Sequence, residues 1–307
     1  MPPGDFDERL RAAMFRYLDR ISNHGIQDLT TDQLNAFEFE GNRISLLQHM
    51  RGIRVVSGLP AALSIRTTFA ARPEDRPYED TEGPDGYFRY KWRGTEAEAH
   101  DNVALRVAMT ERRPLAWFVG VASGRFTAIY PVWLVGEEPT EYQFVLAFDE
   151  VMRDDWSEPS RLQHPADLAL RREYAEATVR RRLHQPVFRQ RVLVAYNSQC
   201  ALCRLRHPEL LDAAHLREDS DGGEPIVPNG VAMCAIHHRA FDNDVLGIRP
   251  DYVVEVRSDV LDEKDGPTLT HALQGVHGSK LTLPSHRMAW PAPDLLDERY
   301  RRFRAAS

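Results

Sequence analysis

All three cysteines of the chain fall in one arrangement: Cys200-Ala-Leu-Cys203, then, after 30 residues, Cys234-Ala-Ile-His237. A CxxC or CxxH knuckle brings two ligand atoms to one ion from a single tight turn. Two such knuckles supply the Cys3His donor set of a tetrahedral, structural Zn2+ site. Three buried free cysteines would not need this paired spacing, and a redox CxxC would need thioredoxin-like surroundings that are missing. An odd, clustered set also argues against a secreted disulfide scaffold and for a cytoplasmic protein. Between the knuckles stand His215, Gly222-Gly223 and Asn229; just after them stand His238 and, one helical turn on and on the same face, Asp242.

These residues need a frame. The 307 residues, 42% of them hydrophobic, can fill the core of one large domain or two ordinary ones, which excludes a disordered chain. No apolar run approaches the roughly 18–20 residues of a membrane helix. The acidic, helical start MPPGDFDERLRAAMF does not read as a signal peptide. The net charge of −7 disfavours nucleic acid as an average, yet residues 167–191 carry seven Arg against Asp167, Glu173 and Glu176.

Leu10, Met14, Leu18 and Ile21 predict a helix over 7–22, and a short helix follows Thr31. FEFEGNRISLL predicts a hairpin turning at Gly41-Asn42. The Pro-, Gly- and acid-rich stretch 71–86 predicts a loop. Strands are expected at 87–92, 115–121, 126–135 and 143–148, with a helix in HDNVALRVAMTER. Residues 151–166 read as a polar linker, 167–184 as an Arg-heavy helix, and Pro186 as the first turn of another. The expected class is α+β, its front half a curved sheet or barrel with helices.

The order of knuckle, His215, Gly-Gly loop, Asn229, second knuckle and His238 resembles the HNH (ββα-metal) nucleases over roughly 186–250. The resemblance implies a zinc-stapled ββα domain in which His215 ends the first strand and is the general base. It implies that Asn229 tethers the loop and orients His215. His238 would ligate a catalytic Mg2+ or Mn2+, with Asp242 a second ligand. Such chemistry is reasonable: a neutral imidazole takes a proton from water near neutral pH, and a divalent ion offsets charge on a phosphodiester. The sequence departs from the pattern at Ala214, where many members carry His or Asp. Asp212 is the nearest acid and a tentative ligand, although in a regular strand it faces away from His215. Exchange of the roles of His237 and His238 stays open.

Residues 78–134 run from a Tyr-acid loop through an aromatic strand to an Asn-x-Ala-Leu helix and two further strands. This order resembles the SRA domain of the PUA-like superfamily, which reads modified cytosine, although the Ser-Gly-Gly element is missing. The resemblance implies stacking by Tyr78 and Tyr90, recognition of the base edge by Asp80, and a role for Asn102. Asp85, Glu82 and Tyr87 lie close enough for the assignment to slide. Base flipping into an aromatic pocket is the physical logic of such reading.

Three expectations follow. The first is a bacterial, modification-dependent restriction endonuclease of type IV-like character: a reader over 1–155, an Arg-rich connector over 156–185 with Arg180, Arg181 and Arg182 on DNA phosphates, and a nuclease over 186–307. Its substrate is double-stranded DNA carrying 5-methyl- or 5-hydroxymethylcytosine. One HNH site cuts one strand, so a homodimer is expected. The second is an HNH nuclease gated by a nucleotide signal or RNA. The third is a non-catalytic, zinc-stapled DNA-binding protein.

Overall fold

The computed structural model describes residues 3–48, 51–69, 82–157, 165–218 and 221–306. The chain divides into two compact units, Met1–Val187 and Phe188–Ser307.

The first unit opens with helix α1 (Pro3–Ile21), which buries Leu10, Met14 and Leu18 completely, the stripe its sequence spacing predicts. Strand β1 (Leu29–Thr30) leads into α2 (Thr31–Asn35), which is closed by a capping box between Thr30 and Gln33. The hairpin β2 (Glu38–Phe39) and β3 (Asn42–Arg43) turns through Gly41. Then come β4 (Ile53–Val55), β5 (Ala62–Thr67), β6 (Phe88–Lys91), α3 (His100–Thr110), β7 (Leu115–Ala122), β8 (Arg125–Glu138) and β9 (Gln143–Ala147). They form a seven-stranded sheet in the order β4-β5-β7-β8-β9-β6, with β1 also paired to β8. Only β5 and β7 run parallel among these pairs.

The sheet is covered on both faces. Along β7, Ala116 and Phe118 pack with α1, whereas Leu115, Trp117, Val119 and Val121 enter a second core with Phe88, Phe144 and Phe148. The sheet also curls into a half-barrel. Tyr90 on β6, at one edge, reaches the carbonyls of Gly52 and Arg66 beside β4 and β5, at the other.

Two sequence expectations change here. Residues 151–166 are not a plain linker, because helix α4 (Glu150–Ser157) occupies their first half. Met152 and Trp156, four residues apart, give it an apolar face, and Trp156 packs edge-on against Tyr87. Pro186 does not begin a new helix. Helix α5 (Pro165–Val179), a π turn at Arg180–His184 and helix α6 (Gln185–Ala195) run on without a break. The Gln185 N–H bonds back to the Arg180 carbonyl, and this wider turn accommodates the proline where a regular α turn would clash.

In the second unit, β10 (Leu211–His215) and β11 (Gly230–Cys234) pair antiparallel, and α7 (Ala235–Asp242) follows at once. This is the expected ββα unit. A second ribbon, β12 (Leu246–Ile248) with β13 (Val254–Val256), the short α8 (Ser258–Asp262) and the terminal α9 (Pro293–Ala306) complete one core around Tyr196, Phe241 and Leu296.

Candidate active site and metal centre

Cys200 and Cys203 sit in the turn after α6, Cys234 ends β11, and His237 lies in the first turn of α7. Their ligand atoms all lie within 4.8 Å of one another. Cys200 Sγ is 3.4 Å and Cys234 Sγ 3.2 Å from His237 Nδ1, and the sulfurs of Cys203 and Cys234 are 3.9 Å apart. Metal–ligand bonds of about 2.3 Å to sulfur and about 2.0 Å to nitrogen make tetrahedral edges of about 3.5–3.8 Å, so the donor set fits one tetrahedral ion. His237 is fully buried, and its Nε2 lies 2.6 Å from the Ala272 carbonyl. Donation of an Nε2 proton there leaves Nδ1 as the ligand atom. The geometry thus groups His237 with the three cysteines and places His238 in the neighbouring cleft.

That cleft, of about 320 Å³, is lined by Glu209, Leu210, Leu211, Asp212, Ala235, His238, Arg239 and Asp242. Asp212 Oδ2 stands 3.3 Å from His238 Nδ1, and Asp242 Oδ2 stands 3.4 Å from His238 Nε2. The carboxylates approach opposite nitrogens of one ring, so only one of them can share an ion with His238 in this arrangement. Asp212 is the more engaged of the two. Its Oδ1 accepts the Ala213 N–H at 2.8 Å and stands 3.6 Å from Arg189 Nε. The Asp242 carboxylate meets only His238 among the described residues, while its main-chain carbonyl accepts from Arg302. Burial pushes the His238 pKa down, but the hydrogen bond to Asp212 and the charge of Asp242 outweigh it, and the pKa ends above the ordinary value. Burial raises Asp212, and His238, the Ala213 N–H and Arg189 together more than reverse it, so its pKa ends below the ordinary value.

His215 ends β10 opposite Gly230. Strand alternation puts it on the other face from Asp212. Its imidazole stacks on the Phe188 ring of α6, with centroids 4.0 Å apart and planes 19° apart. The loop that follows is tied by Asn229, which is almost wholly buried. Asn229 Oδ1 accepts the Arg217 N–H, and Nδ2 donates to the carbonyls of Arg217 and Glu224, all at 2.9 Å. The Leu216 N–H donates to the Asn229 carbonyl, also at 2.9 Å. The residue after His215 is thereby fixed by the residue before β11.

In the sequence Phe188 reads only as one member of the apolar stripe Phe188, Val192 and Tyr196, and Arg189 only as one of the arginines of that segment; nothing local ties either to the site.

The front unit distributes its predicted site residues differently. Tyr78 and Asp80 lie outside the described residues. Tyr90 is 5% exposed, its ring edge-on to Trp117, its hydroxyl spent on the Gly52 and Arg66 carbonyls. Asn102 is fully buried at the start of α3, where it accepts the Arg93 N–H and donates to the carbonyls of Arg93 and Glu96. Both are buried and brace the half-barrel through these carbonyls. Arg182 also departs from expectation. Its guanidinium donates to the carbonyls of Phe148 and Tyr130, and burial lowers its pKa. Arg180 and Arg181 are exposed.

Residues 200–249 match the family described as HNH endonuclease. No curated protein matches the chain. Among solved structures, the chain is similar to a modification-dependent TagI restriction endonuclease, at 17% identity and a TM-score of 0.28. That match covers 84% of this chain and 85% of the other. It is also similar to the type IV phosphorothioation-dependent restriction endonuclease ScoMcrA, at 14% identity and a TM-score of 0.25. There it covers 84% of this chain and 52% of the other. The ββα order, the Cys3His group and the family match over the same residues agree: the second unit of this chain carries an HNH endonuclease domain, a phosphodiester-hydrolysing fold.

Proposed function

We propose that the second unit cuts double-stranded DNA by metal-dependent hydrolysis, and that the first unit selects the DNA to be cut. The convergence of Asp212 and Asp242 on His238, beside the Cys3His group, is the observation that carries the nuclease reading. The thiolate-rich donor set suits Zn2+ as the structural ion, and the carboxylate–imidazole set suits Mg2+ or Mn2+ as the catalytic one.

In this reading Asp242 and His238 Nε2 hold the divalent ion. Asp212, already fixed by Arg189 and the Ala213 N–H, orients the His238 ring through Nδ1. A bound divalent ion supplies charge neutralisation at the scissile phosphate and the leaving 3′ oxygen. His215 takes the proton of the attacking water, Asn229 holds the loop that fixes it, and Arg239 at the cleft is placed to meet a phosphate oxygen. Arg180 and Arg181 contact phosphates elsewhere on the duplex.

The selected feature is a modified cytosine, 5-methyl or 5-hydroxymethyl. Support comes from the order of loop, aromatic strand and Asn-x-Ala-Leu helix over 78–134, with Tyr78 and Asp80 the remaining candidates for the pocket. The enzyme acts as a homodimer, one subunit per strand. The test is cleavage of plain, methylated and hydroxymethylated plasmid by the full chain with Mg2+ or Mn2+. Preference for a modified plasmid, abolished in His215→Ala, is expected. Equal cutting of all three overturns the modified-base reading and favours gating by another ligand. A wild type as inert as His215→Ala overturns the nuclease reading.

A further inference from the structure

The contact between Phe188 and His215 is closer and flatter than packing alone requires. Phe188 is 2% exposed, so it cannot itself touch DNA. Its ring lies nearly parallel to the imidazole at 4.0 Å between centroids. Across the hairpin, the partner of His215 is Gly230. A Cβ built on Gly230 would stand 2.7 Å from Phe188 Cζ and 2.6 Å from Val192 Cγ2, both side chains of α6. The backbone does not ask for glycine there, since Gly230 has φ −134° and ψ 149°, ordinary extended values. The absence of a side chain is therefore a matter of space, and the space is filled by Val192 together with the ring that stacks on His215.

We propose that Phe188 is a positioning residue for His215, fixing the plane of its imidazole, and that Gly230 is the gap that admits the Phe188 ring. The inference rests on the reading of His215 as general base. The final torsion of a histidine ring is soft, so strand position alone leaves the ring plane undetermined. A flat, buried neighbour restricts it, and a nitrogen that must face a water gains from that restriction. Misplacing a reacting group by about 1 Å costs about 10²-fold in rate.

The stack is read directly by NMR on the wild-type chain, with the His215 imidazole protons identified by their loss in His215→Gln. Ring current from Phe188 should move them upfield of the other histidines, and Phe188→Leu should return them to ordinary positions. Wild-type protons at ordinary positions, or protons unmoved by Phe188→Leu, overturn the proposal. Should Phe188→Leu fail to fold, the wild-type shift still decides. In DNA cleavage, Phe188→Leu should lower kcat about 10- to 100-fold at unchanged KM, with metal content and melting cooperativity retained. Gly230→Ala should also lower kcat, because the added methyl would press on the Phe188 ring and on Val192. An unchanged kcat, or a loss that merely follows the folded fraction, overturns it. A wild type that cuts no DNA sinks the general-base reading instead, and the shift measurement still judges the stack.

Discussion

The front half-barrel and the HNH cleft use polar side chains in opposite ways. In the front unit, Tyr90, Asn102 and Arg182 spend their donors on backbone carbonyls inside the fold. In the cleft, His238 meets carboxylates on both sides and remains partly exposed, and Asp242 remains open to solvent. A polar group bonded to its own backbone lowers the cost of burial and holds shape. A set of mutually perturbing titratable groups in a cleft is stored for a ligand. The difference teaches that residue type and order alone do not tell a brace from a site.

The largest effect should come from the metal centre. Cys200→Ser should unfold the second unit, because the roughly 10–16 kcal/mol of structural metal binding is folding energy. Metal analysis with thermal melting checks it, and a soluble, cooperatively melting, metal-free variant would contradict it. Next, His215→Ala should lower cleavage by about 10²–10⁴-fold while leaving the fold and the Cys3His metal intact; a loss of bound metal in this variant would move His215 from chemistry to structure. Asp242→Ala and Asp212→Asn then separate ligand from orienter. Titration calorimetry with Mn2+ should show binding lost in Asp242→Ala and weakened by about 10–100-fold in Asp212→Asn. The reverse ranking would exchange their roles and put the ion at Nδ1. Last, Asn102→Ala should cost about 1–3 kcal/mol of stability, and Tyr90→Phe about 1 kcal/mol. Neither should change which DNA is preferred. A lost preference at unchanged melting temperature would erase the contrast between the two regions.

The Cys3His cluster was legible because tetrahedral coordination imposes short, local spacings. Spacing favoured His237 for the knuckle but left an exchange with His238 open, since either can follow Cys234 into a helix. What separates them is the Ala272 carbonyl, 35 residues away, which no local pattern announces. Strands β4 and β5 went unread for another reason. Ala62, Leu63, Ser64 and Ile65 are buried in succession because the sheet is covered on both faces, so the alternation that betrays a half-exposed strand is absent. Helix α4 hid inside a polar stretch because only Met152 and Trp156 mark its apolar face. The aromatic strand at 87–92 was visible as a strand, but its side chains could not be divided between core and surface without the curl of the sheet. The flank of His215 was invisible because the stripe Phe188, Val192 and Tyr196 marks an apolar helix face without saying which side chain of another element it meets.

The carbonyl of Ala272 has one more consequence. The four metal ligands are all synthesised by residue 237, yet the group that orients His237 emerges only with residue 272. The main-chain bond from Thr282 to Ala201 beside the first knuckle emerges later still. A growing chain therefore owns the ligands before it owns the scaffold that sets their geometry. A chain cut short before residue 272 would carry all four side chains of the Cys3His group and lack both of these contacts.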